Sequence, residues 1–273
     1  MRRALTLLRV ALHVAVLCAA SLLRPPPRAR RAWARGLLTI LGVRLEPAVL
    51  AVAPGSLVVA NHISWLDAVV LHALFDATFV AKAEARRWPL LGWALARNGT
   101  LFIERRPCRA LLRLNEAVAL ELARGATVAA FPEGTSTAGT GVLAFKPALF
   151  QPAVRGGHPV QVIALAYRNG DGAPCAAAAF VGEMTLWQSL RAITALPALT
   201  AQVRDCGRLD TAGLHRKQAA RLAHAAVQSK VCGNGAPGER QATSGRAGSG
   251  SPEGRSPSSS GPTWASSAEV SRT

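Results

Sequence analysis

Apolar runs of two lengths alternate along the middle of the chain. Short, continuously apolar runs such as LVVA, TVAAF and VIALA predict strands that are covered on both faces. Longer segments with apolar residues on one helical face follow most of these runs. Strands that alternate with helices through compact connections indicate an α/β fold. We therefore expect a single mostly parallel or mixed sheet with helices on both faces.

The same pattern predicts individual elements. Strands are expected at SLVVAN, DATFVAK, GTLFIER, ATVAAFPEG and PVQVIALAYR. Helices are expected at SWLDAVVLHALF, WPLLGWALARN, CRALLRLNEAVALELARG, KPALFQPAVRGG and LDTAGLHRKQAARLAHAAVQSK. Polar sites in such folds gather where strands end, and His62, Arg105 and Glu133 all stand at predicted strand ends.

The two ends of the chain differ from this middle part. Residues 1–31 form an apolar segment of about bilayer-spanning length, flanked by basic clusters and interrupted by Arg9 and His13. This predicts a membrane-anchoring helix that either spans the bilayer or lies in its interface. A buried core helix is the alternative, and it would need a partner for Arg9. Residues 231–273 are rich in Gly, Ser, Pro and Arg, which predicts a disordered tail and leaves residues 32–230 as one domain.

Charge narrows the range of partners. The formal net charge of +17 predicts an anionic partner, and nucleic acid, an acidic membrane face and a phosphorylated substrate all qualify. Aromatic residues are scarce, and no run alternates them with basic residues, which disfavours nucleic acid. The five cysteines are scattered without a C-x-x-C pair, which argues against a disulfide framework or a zinc site and favours a reducing compartment.

One apolar stretch, LVVANHISWLDAVVL, is interrupted by His62 and, five positions later, by Asp67. Within one helix, five residues separate two side chains by about 140°, so this pair could not meet. If the helix starts with Ser64 as its N-cap, Asp67 lies in the first turn and could reach back toward the imidazole. The alternative is that Ser64 and Asp67 form a capping box, which needs Asp67 for stability alone.

Three short motifs follow one another along the chain. The first is N-H-x-x-x-x-D, the second is G-x-x-F-[IV]-x-R and the third is F-P-E-G-T. They are matched by Asn61, His62 and Asp67, by Gly99, Phe102, Ile103 and Arg105, and by Phe131, Pro132, Glu133, Gly134 and Thr135. With these motifs in this order, the chain resembles the glycerolipid acyltransferases, the lysophosphatidate acyltransferases and their relatives. The resemblance covers about residues 33–230.

The chemistry of acyl transfer fits the first motif. A base must remove the hydroxyl proton as the acceptor oxygen attacks a thioester carbonyl, and neutral histidine suits that task. A carboxylate on the other ring nitrogen fixes the tautomer and stabilises the imidazolium. We therefore predict His62 as the general base and Asp67 as the residue that orients it.

The resemblance also implies residues that bind substrate. Arg105 offers a planar fork for a phosphate or carboxylate, with a surface salt bridge as the alternative. The loop of the third motif is expected to bind the acceptor. The predicted substrate-binding residues are Arg105, Glu133, Gly134, Thr135, Asn61, Gly99 and Phe102. Lys82 and Lys146 could line the same cavity, although a solvated lysine is the simpler interpretation of each.

Two positions depart from the family pattern. Many members carry an arginine directly after F-P-E-G-T, where this chain has Ser136. A fourth block usually contains a proline in a short V-P-[VI] strand, and the corresponding segment here is VQVIALAYR, to which no role is assigned.

The resemblance implies a membrane-bound O-acyltransferase that converts lysophosphatidate to phosphatidate with acyl-CoA or acyl carrier protein as donor. No metal or bound cofactor is implied. The expected location is the cytoplasmic membrane, with the active site facing the cytoplasm and an anionic membrane surface as partner. Another lysolipid, notably lyso-ornithine lipid, is the alternative acceptor, which the missing arginine favours. An alternative of a different class is a non-catalytic basic protein that binds membrane surfaces or nucleic acid.

Overall fold

The computed structural model describes residues 2–23, 25–47, 50–103 and 108–232. The strands of this part of the chain are β1 (Val43–Glu46), β2 (Leu57–Ala60), β3 (Thr78–Lys82), β4 (Leu101–Ile103), β5 (Val128–Ala130), β6 (Val160–Asn169) and β7 (Leu199–Leu209). Its α-helices are α1 (Arg2–Leu22), α2 (Pro27–Ile40), α3 (Leu66–Leu74), α4 (Leu91–Arg97), α5 (Cys108–Ala123), α6 (Gln151–Gly156), α7 (Leu186–Ile193) and α8 (Arg216–Cys232). Short 3₁₀ turns occupy Ala83–Arg87, Pro147–Phe150 and Ala176–Ala178.

The strands form one mixed sheet in the order β1-β7-β6-β2-β5-β3-β4. Only the β6–β7 pair of these strands is antiparallel, and the other neighbours are parallel. Val58 and Ala60 of β2 pack into a core with α2, α3 and α7. Leu57 and Val59 of the same strand pack into a second core with α5, α6 and α8. The predicted fold class is therefore confirmed, because helices cover both faces of the sheet and β2 is buried on both.

Several elements were not predicted. β7 alternates buried and half-exposed residues along LTAQVRDCGRL, so it lacks the continuous apolar run that identifies the central strands. The predicted N-terminal segment contains two helices, and its boundary at residue 31 lies inside α2. Ser64 is not the N-cap of α3, which begins at Leu66 with Trp65 at the cap position. The predicted tail lies outside the described residues from residue 233 onward, and α8 extends to Cys232.

One face of α1 packs against the domain. The rings of His13 and Trp33 stack with centroids 5.1 Å apart, and Trp33 Nε1 donates to the His13 carbonyl oxygen at 2.8 Å. Further along the helix, the amide of Asn98 donates to the buried Ser21 Oγ at 2.7 Å. Within the described residues, α1 is also the one helix long and apolar enough to cross a membrane, with a mean hydropathy of 2.0 over Arg3–Leu22.

Parallel pairing places the ends of four strands at one edge of the sheet. Val59 of β2 lies opposite Ala130 of β5, and Lys82 of β3 lies opposite Ile103 of β4. The segments that follow β2 and β5 therefore leave the sheet side by side. This edge holds the residues of the first and third motifs.

Gly92 lets α4 approach the preceding 3₁₀ turn closely. A Cβ at this position would lie 2.7 Å from the carbonyl oxygen of Ala85 and closer still to that of Arg86. We expect Gly92→Ala to lower stability by about 1–3 kcal/mol, because backbone atoms must move to make room. That loss should exceed the gain in helix propensity, about 1 kcal/mol.

Thermal unfolding followed by circular dichroism checks this expectation. Gly141→Ala is the matched control, because a Cβ there would have no atom within 4 Å. An unchanged melting temperature for Gly92→Ala would show that α4 is not packed as described.

Candidate active site

The turn between β2 and α3 brings His62 and Asp67 together. The imidazole Nδ1 lies 2.8 Å from Asp67 Oδ2, and the Asp67 side chain is fully buried while that of His62 is 22% exposed. Asp67 lies in the first turn of α3 and reaches back to the histidine, as predicted from the sequence. Because the carboxylate accepts at Nδ1, that nitrogen carries the ring proton and Nε2 keeps its lone pair.

The capping-box alternative is only half realised. The Ser64 N–H donates to Asp67 Oδ2 at 2.9 Å, but the buried Ser64 Oγ has no hydrogen-bond partner in the described part of the chain. Oδ2 also accepts from the Ile63 N–H at 2.6 Å, and Oδ1 accepts from the Tyr167 hydroxyl at 2.7 Å. Asp67 therefore fixes both the turn and the imidazole, so the two interpretations of this residue are compatible.

Asn61 lies inside the protein, between β2 and β6. Its side chain is fully buried. Its amide nitrogen donates to the Leu165 carbonyl oxygen at 3.0 Å, and its oxygen accepts from the Leu165 N–H at 2.7 Å. Asn61 therefore joins the end of β2 to β6 at the start of the His62 turn, and its role as a substrate contact stays a prediction.

Glu133 is likewise turned inward. It is 3% exposed, and its two carboxylate oxygens accept from the His62 N–H at 2.6 Å and from the Leu143 N–H at 2.8 Å. Burial raises the pKa of the Glu133 carboxyl, although both N–H bonds favour its ionised form. The two oxygens of Glu133 thus hold the main chain of two loops, and its contact with the acceptor stays a prediction.

The rest of the third motif lies closer to solvent. The Phe131 ring stacks on the His62 imidazole with centroids 4.3 Å apart. Gly134 has a φ of +71°, and the exposed Lys146 side chain passes over it where a Cβ would otherwise stand. Thr135 is exposed, and the Ser136 hydroxyl donates to the Phe180 carbonyl oxygen. Gly134, Thr135 and Lys146 are therefore open to a substrate beside His62.

The second motif is only partly described. Arg105 lies outside the described residues, so its role stays a prediction. Phe102 is half-buried in β4, with the Arg86 guanidinium 5.7 Å above its ring. Lys82 is half-buried at the carboxyl end of β3. Both stay predictions as substrate contacts.

Gly99 does not reach the edge that holds His62. It precedes β4 at the opposite end of that strand and has a φ of +86°. Its N–H donates to the Ala96 carbonyl oxygen at 3.2 Å, and the Thr100 N–H donates to that of Leu95 at 3.1 Å. This pair of bonds is the Schellman arrangement that ends α4. Helix termination therefore accounts for a glycine at this position, and the predicted role of Gly99 in substrate binding stays a prediction.

Two further residues, Thr137 and Tyr167, contact this turn and were not predicted from the sequence. The Thr137 N–H donates to the His62 carbonyl oxygen at 2.8 Å, and Tyr167 contacts Asp67 from β6. A signal for Tyr167 was available, because the single tyrosine of the chain ends the apolar run VIALA. Thr137 carries no such signal, since one threonine in a polar loop is unremarkable.

A histidine held in this way by a buried carboxylate can act as a base in proton transfer. Within the described ranges, no three His, Cys, Asp or Glu side chains cluster closely enough to hold a metal ion. The His62 ring stacks on Phe131 in the loop after β5, and the same loop contains the exposed Thr135. A hydroxyl that enters there would meet a base whose tautomer is already fixed.

Comparisons with known proteins identify the family of the chain. The acyltransferase family profile matches residues 45–167. The lyso-ornithine lipid O-acyltransferase of Pseudomonas aeruginosa is 36% identical over 210 residues, which cover 77% of this chain and 81% of that protein. The 1-acyl-sn-glycerol-3-phosphate acyltransferase of Neisseria meningitidis serogroup B is 40% identical over 176 residues, 62% of this chain and 67% of that protein.

A solved structure shares the fold. It is the 1-acyl-sn-glycerophosphate (LPA) acyltransferase PlsC from Thermotoga maritima, with a TM-score of 0.56 and 21% identity. The match covers 88% of this chain and 100% of that chain. The chain thus has the fold of a solved acyltransferase structure. The chain belongs to the acyltransferase family, together with these lysolipid acyltransferases.

A substitution at Glu133 separates positioning from substrate binding. Glu133→Ala leaves the N–H groups of His62 and Leu143 without their carboxylate acceptor, which should cost about 1–3 kcal/mol of stability. Because the His62 main chain is then free to move, we expect kcat to fall while the acceptor KM stays close to that of the wild type. Steady-state kinetics and thermal unfolding measure both effects.

Glu121→Ala is the control for that variant. Among the described residues, Glu121 pairs with the exposed Arg124 at 3.3 Å, so its loss should change stability by less than about 0.5 kcal/mol. A higher acceptor KM with kcat and stability intact would instead support the prediction that Glu133 binds substrate.

Proposed function

We propose that the protein transfers a fatty acyl group to the free hydroxyl of a lysolipid, with His62 as the general base. The observation that carries this proposal is the contact of His62 Nδ1 with the fully buried Asp67 at 2.8 Å, beside a loop that is open to solvent. Family membership supports the reaction class. The assignment of the two residues rests on their geometry and on the first motif.

The proposed reaction uses the lysolipid hydroxyl as nucleophile. His62 Nε2 removes the hydroxyl proton as the new C–O bond forms at the thioester carbonyl. The C–S bond then breaks, and the imidazolium returns the proton to the leaving thiolate. Asp67 stabilises the positive ring between the two steps. Acyl-CoA or acyl carrier protein is the proposed donor, and the mechanism needs neither a metal nor a bound cofactor.

Lysophosphatidate is the first proposed acceptor. The Lys146 ammonium over Gly134 would supply a positive charge next to the base, where an anionic head group could lie. Two of the relatives described above are named for phosphate-bearing acceptors of this kind.

Lyso-ornithine lipid is the second proposed acceptor, and one observation favours it. Ser136 occupies the position after Thr135, and its hydroxyl donates to the Phe180 carbonyl oxygen. This position therefore offers no cation for a phosphate monoester. The relative matched over 81% of its length bears the name of a lyso-ornithine lipid O-acyltransferase.

We also propose attachment to the cytoplasmic membrane, with the active site on the cytoplasmic side. Leu8 and Leu12 on the outer face of α1 are 65% and 66% exposed, while Val10, Leu17 and Ser21 face the domain. A helix with one face on the protein and one apolar face outward suits the interface better than a free span. The basic surface would add attraction to anionic lipids.

A mass-spectrometric assay of membranes that bear the protein tests the reaction and the acceptor together. Wild-type membranes with acyl-CoA should acylate lysophosphatidate, lyso-ornithine lipid or both, and His62→Ala should abolish turnover while the protein stays folded. Asp67→Asn should lose less, because the base survives without its orientation. Normal transfer by folded His62→Ala would overturn the mechanism, and an inactive wild type would favour a non-catalytic basic membrane-surface or nucleic-acid-binding protein.

Membrane attachment is tested on the exposed face of α1. Leu8→Glu with Leu12→Glu should weaken vesicle binding by at least about tenfold, because each buried leucine contributes roughly 1.5–3 kcal/mol. Cosedimentation with vesicles that contain anionic phospholipid measures the change. Leu112→Glu with Leu120→Glu, at 61% and 57% exposed positions of α5, is the matched control and should bind normally. Equal binding by both double variants would place the membrane contact elsewhere.

A further inference from the structure

Tyr167 contacts Asp67, the carboxylate that holds the candidate base His62. It lies near the carboxyl end of β6, is 4% exposed, and donates its hydroxyl to Asp67 Oδ1 at 2.7 Å. Exactly one hundred positions separate the two residues in sequence. The fold therefore brings a phenol to the one oxygen of Asp67 that does not contact the imidazole.

The two oxygens of Asp67 have separate partners. Oδ2 accepts from His62 Nδ1 and from the N–H groups of Ile63 and Ser64, at distances of 2.6–2.9 Å. Oδ1 accepts from Tyr167. A carboxylate bonded at both ends cannot rotate about its terminal torsion without losing one set of bonds. Tyr167 consequently fixes the plane in which Oδ2 meets the imidazole.

A phenol is suited to this position. Burial, with the Asp67 charge as the next cause, raises the pKa of Tyr167 well above its ordinary value. The hydroxyl stays a neutral donor throughout the working pH range, and it stabilises Asp67 as an anion without adding a charge. Phenylalanine could fill the same volume, so packing alone does not explain the hydroxyl.

The same strand holds the other end of the turn. Asn61 bonds both main-chain groups of Leu165, two residues before Tyr167 on β6. This segment of β6 corresponds to the fourth family block. It thus contacts Asn61, directly before His62, and the carboxylate of Asp67. The titratable side chains that face Asp67 from the packed elements are His62 in the same turn, Tyr167 of β6 and Glu133 after β5.

We propose that Tyr167 is a positioning residue for the acyl-transfer reaction, acting through Asp67 to set the basicity and orientation of His62. This inference rests on the proposed function, since it concerns the same base. The Tyr167 hydroxyl and the His62 imidazolium compete for the negative charge of Asp67. A stronger donor at Oδ1 leaves less charge for the imidazolium, and the loss of that donor leaves more.

The competition predicts opposite shifts for two changes at one position. In Tyr167→Phe, the freed Asp67 charge favours the imidazolium, so the titration midpoint of the His62 ring should rise by roughly half a unit or more. Because the chain contains one tyrosine, biosynthetic replacement of all tyrosine by 3-fluorotyrosine alters Tyr167 alone. The more acidic fluorophenol donates more strongly, so the midpoint should fall.

Histidine-ring NMR on the full-length protein in detergent measures these midpoints without turnover, with His62→Ala to assign the signal. Kinetics on the same samples should show the acid limb of the kcat profile moving with the midpoint. In Tyr167→Phe, the plateau kcat should fall about three- to tenfold with unchanged KM values. Thr211→Val is the control, because it removes another buried hydroxyl, bonded to the His158 carbonyl oxygen at 2.9 Å, and should shift nothing.

Opposite shifts of the midpoint, with Thr211→Val unchanged, would support the role of Tyr167. Equal midpoints in the wild-type, Phe and fluorotyrosine proteins would overturn it, even if Tyr167→Phe is less stable. The fluorotyrosine protein keeps the side chain in place, so poor folding of Tyr167→Phe does not remove the test. A wild type with no acyl transfer to any lysolipid would overturn the proposed function instead, and the NMR result distinguishes the two failures.

Discussion

The buried carboxylate of Asp67 is the group on which the geometry of the site depends. A charge with no exposure to water is tolerated only when donors replace its hydration, and four of them do so here. Two of these donors are the main-chain N–H groups of Ile63 and Ser64, in the turn before α3. One carboxylate therefore fixes this turn and orients the imidazole, and neither effect can be altered without the other.

The sheet explains why those donors converge. β2 ends at Ala60, which lies opposite Ile163, but β6 continues to Asn169. The overhanging part of β6 presents Leu165 and Tyr167 to the chain after it has left β2. On the other side, parallel pairing brings the end of β5 level with that of β2, so Glu133 reaches the His62 N–H. The turn is thus held by two neighbouring strands that are unequal in length.

This architecture also shows which parts of the fold and the site can be predicted from the sequence. Continuous apolar runs identified β2, β5 and β6, because burial on both faces leaves no polar positions. β1 and β7 were not predicted, because polar residues interrupt the apolar ones in VRLE of β1 and in LTAQVRDCGRL of β7. The contact between His62 and Asp67 was predictable from local geometry. The partners of Asn61 and Glu133 were not, since they lie 104 and 71 positions away and depend on the order of the strands.

Glu133 shows that this geometry is kept at some expense in stability. Its raised pKa means that the folded protein binds a proton there more tightly than the unfolded chain does. Its contribution to stability is therefore greatest below the unfolded value, near 4.5, and is lost as the pH rises through the folded value. At neutral pH the carboxylate is thus less favourable for folding than a protonated acid would be. Only the ionised form offers two equivalent acceptors to the N–H groups of His62 and Leu143. The charge that burial disfavours is consequently the charge that holds the main chain of the base in place.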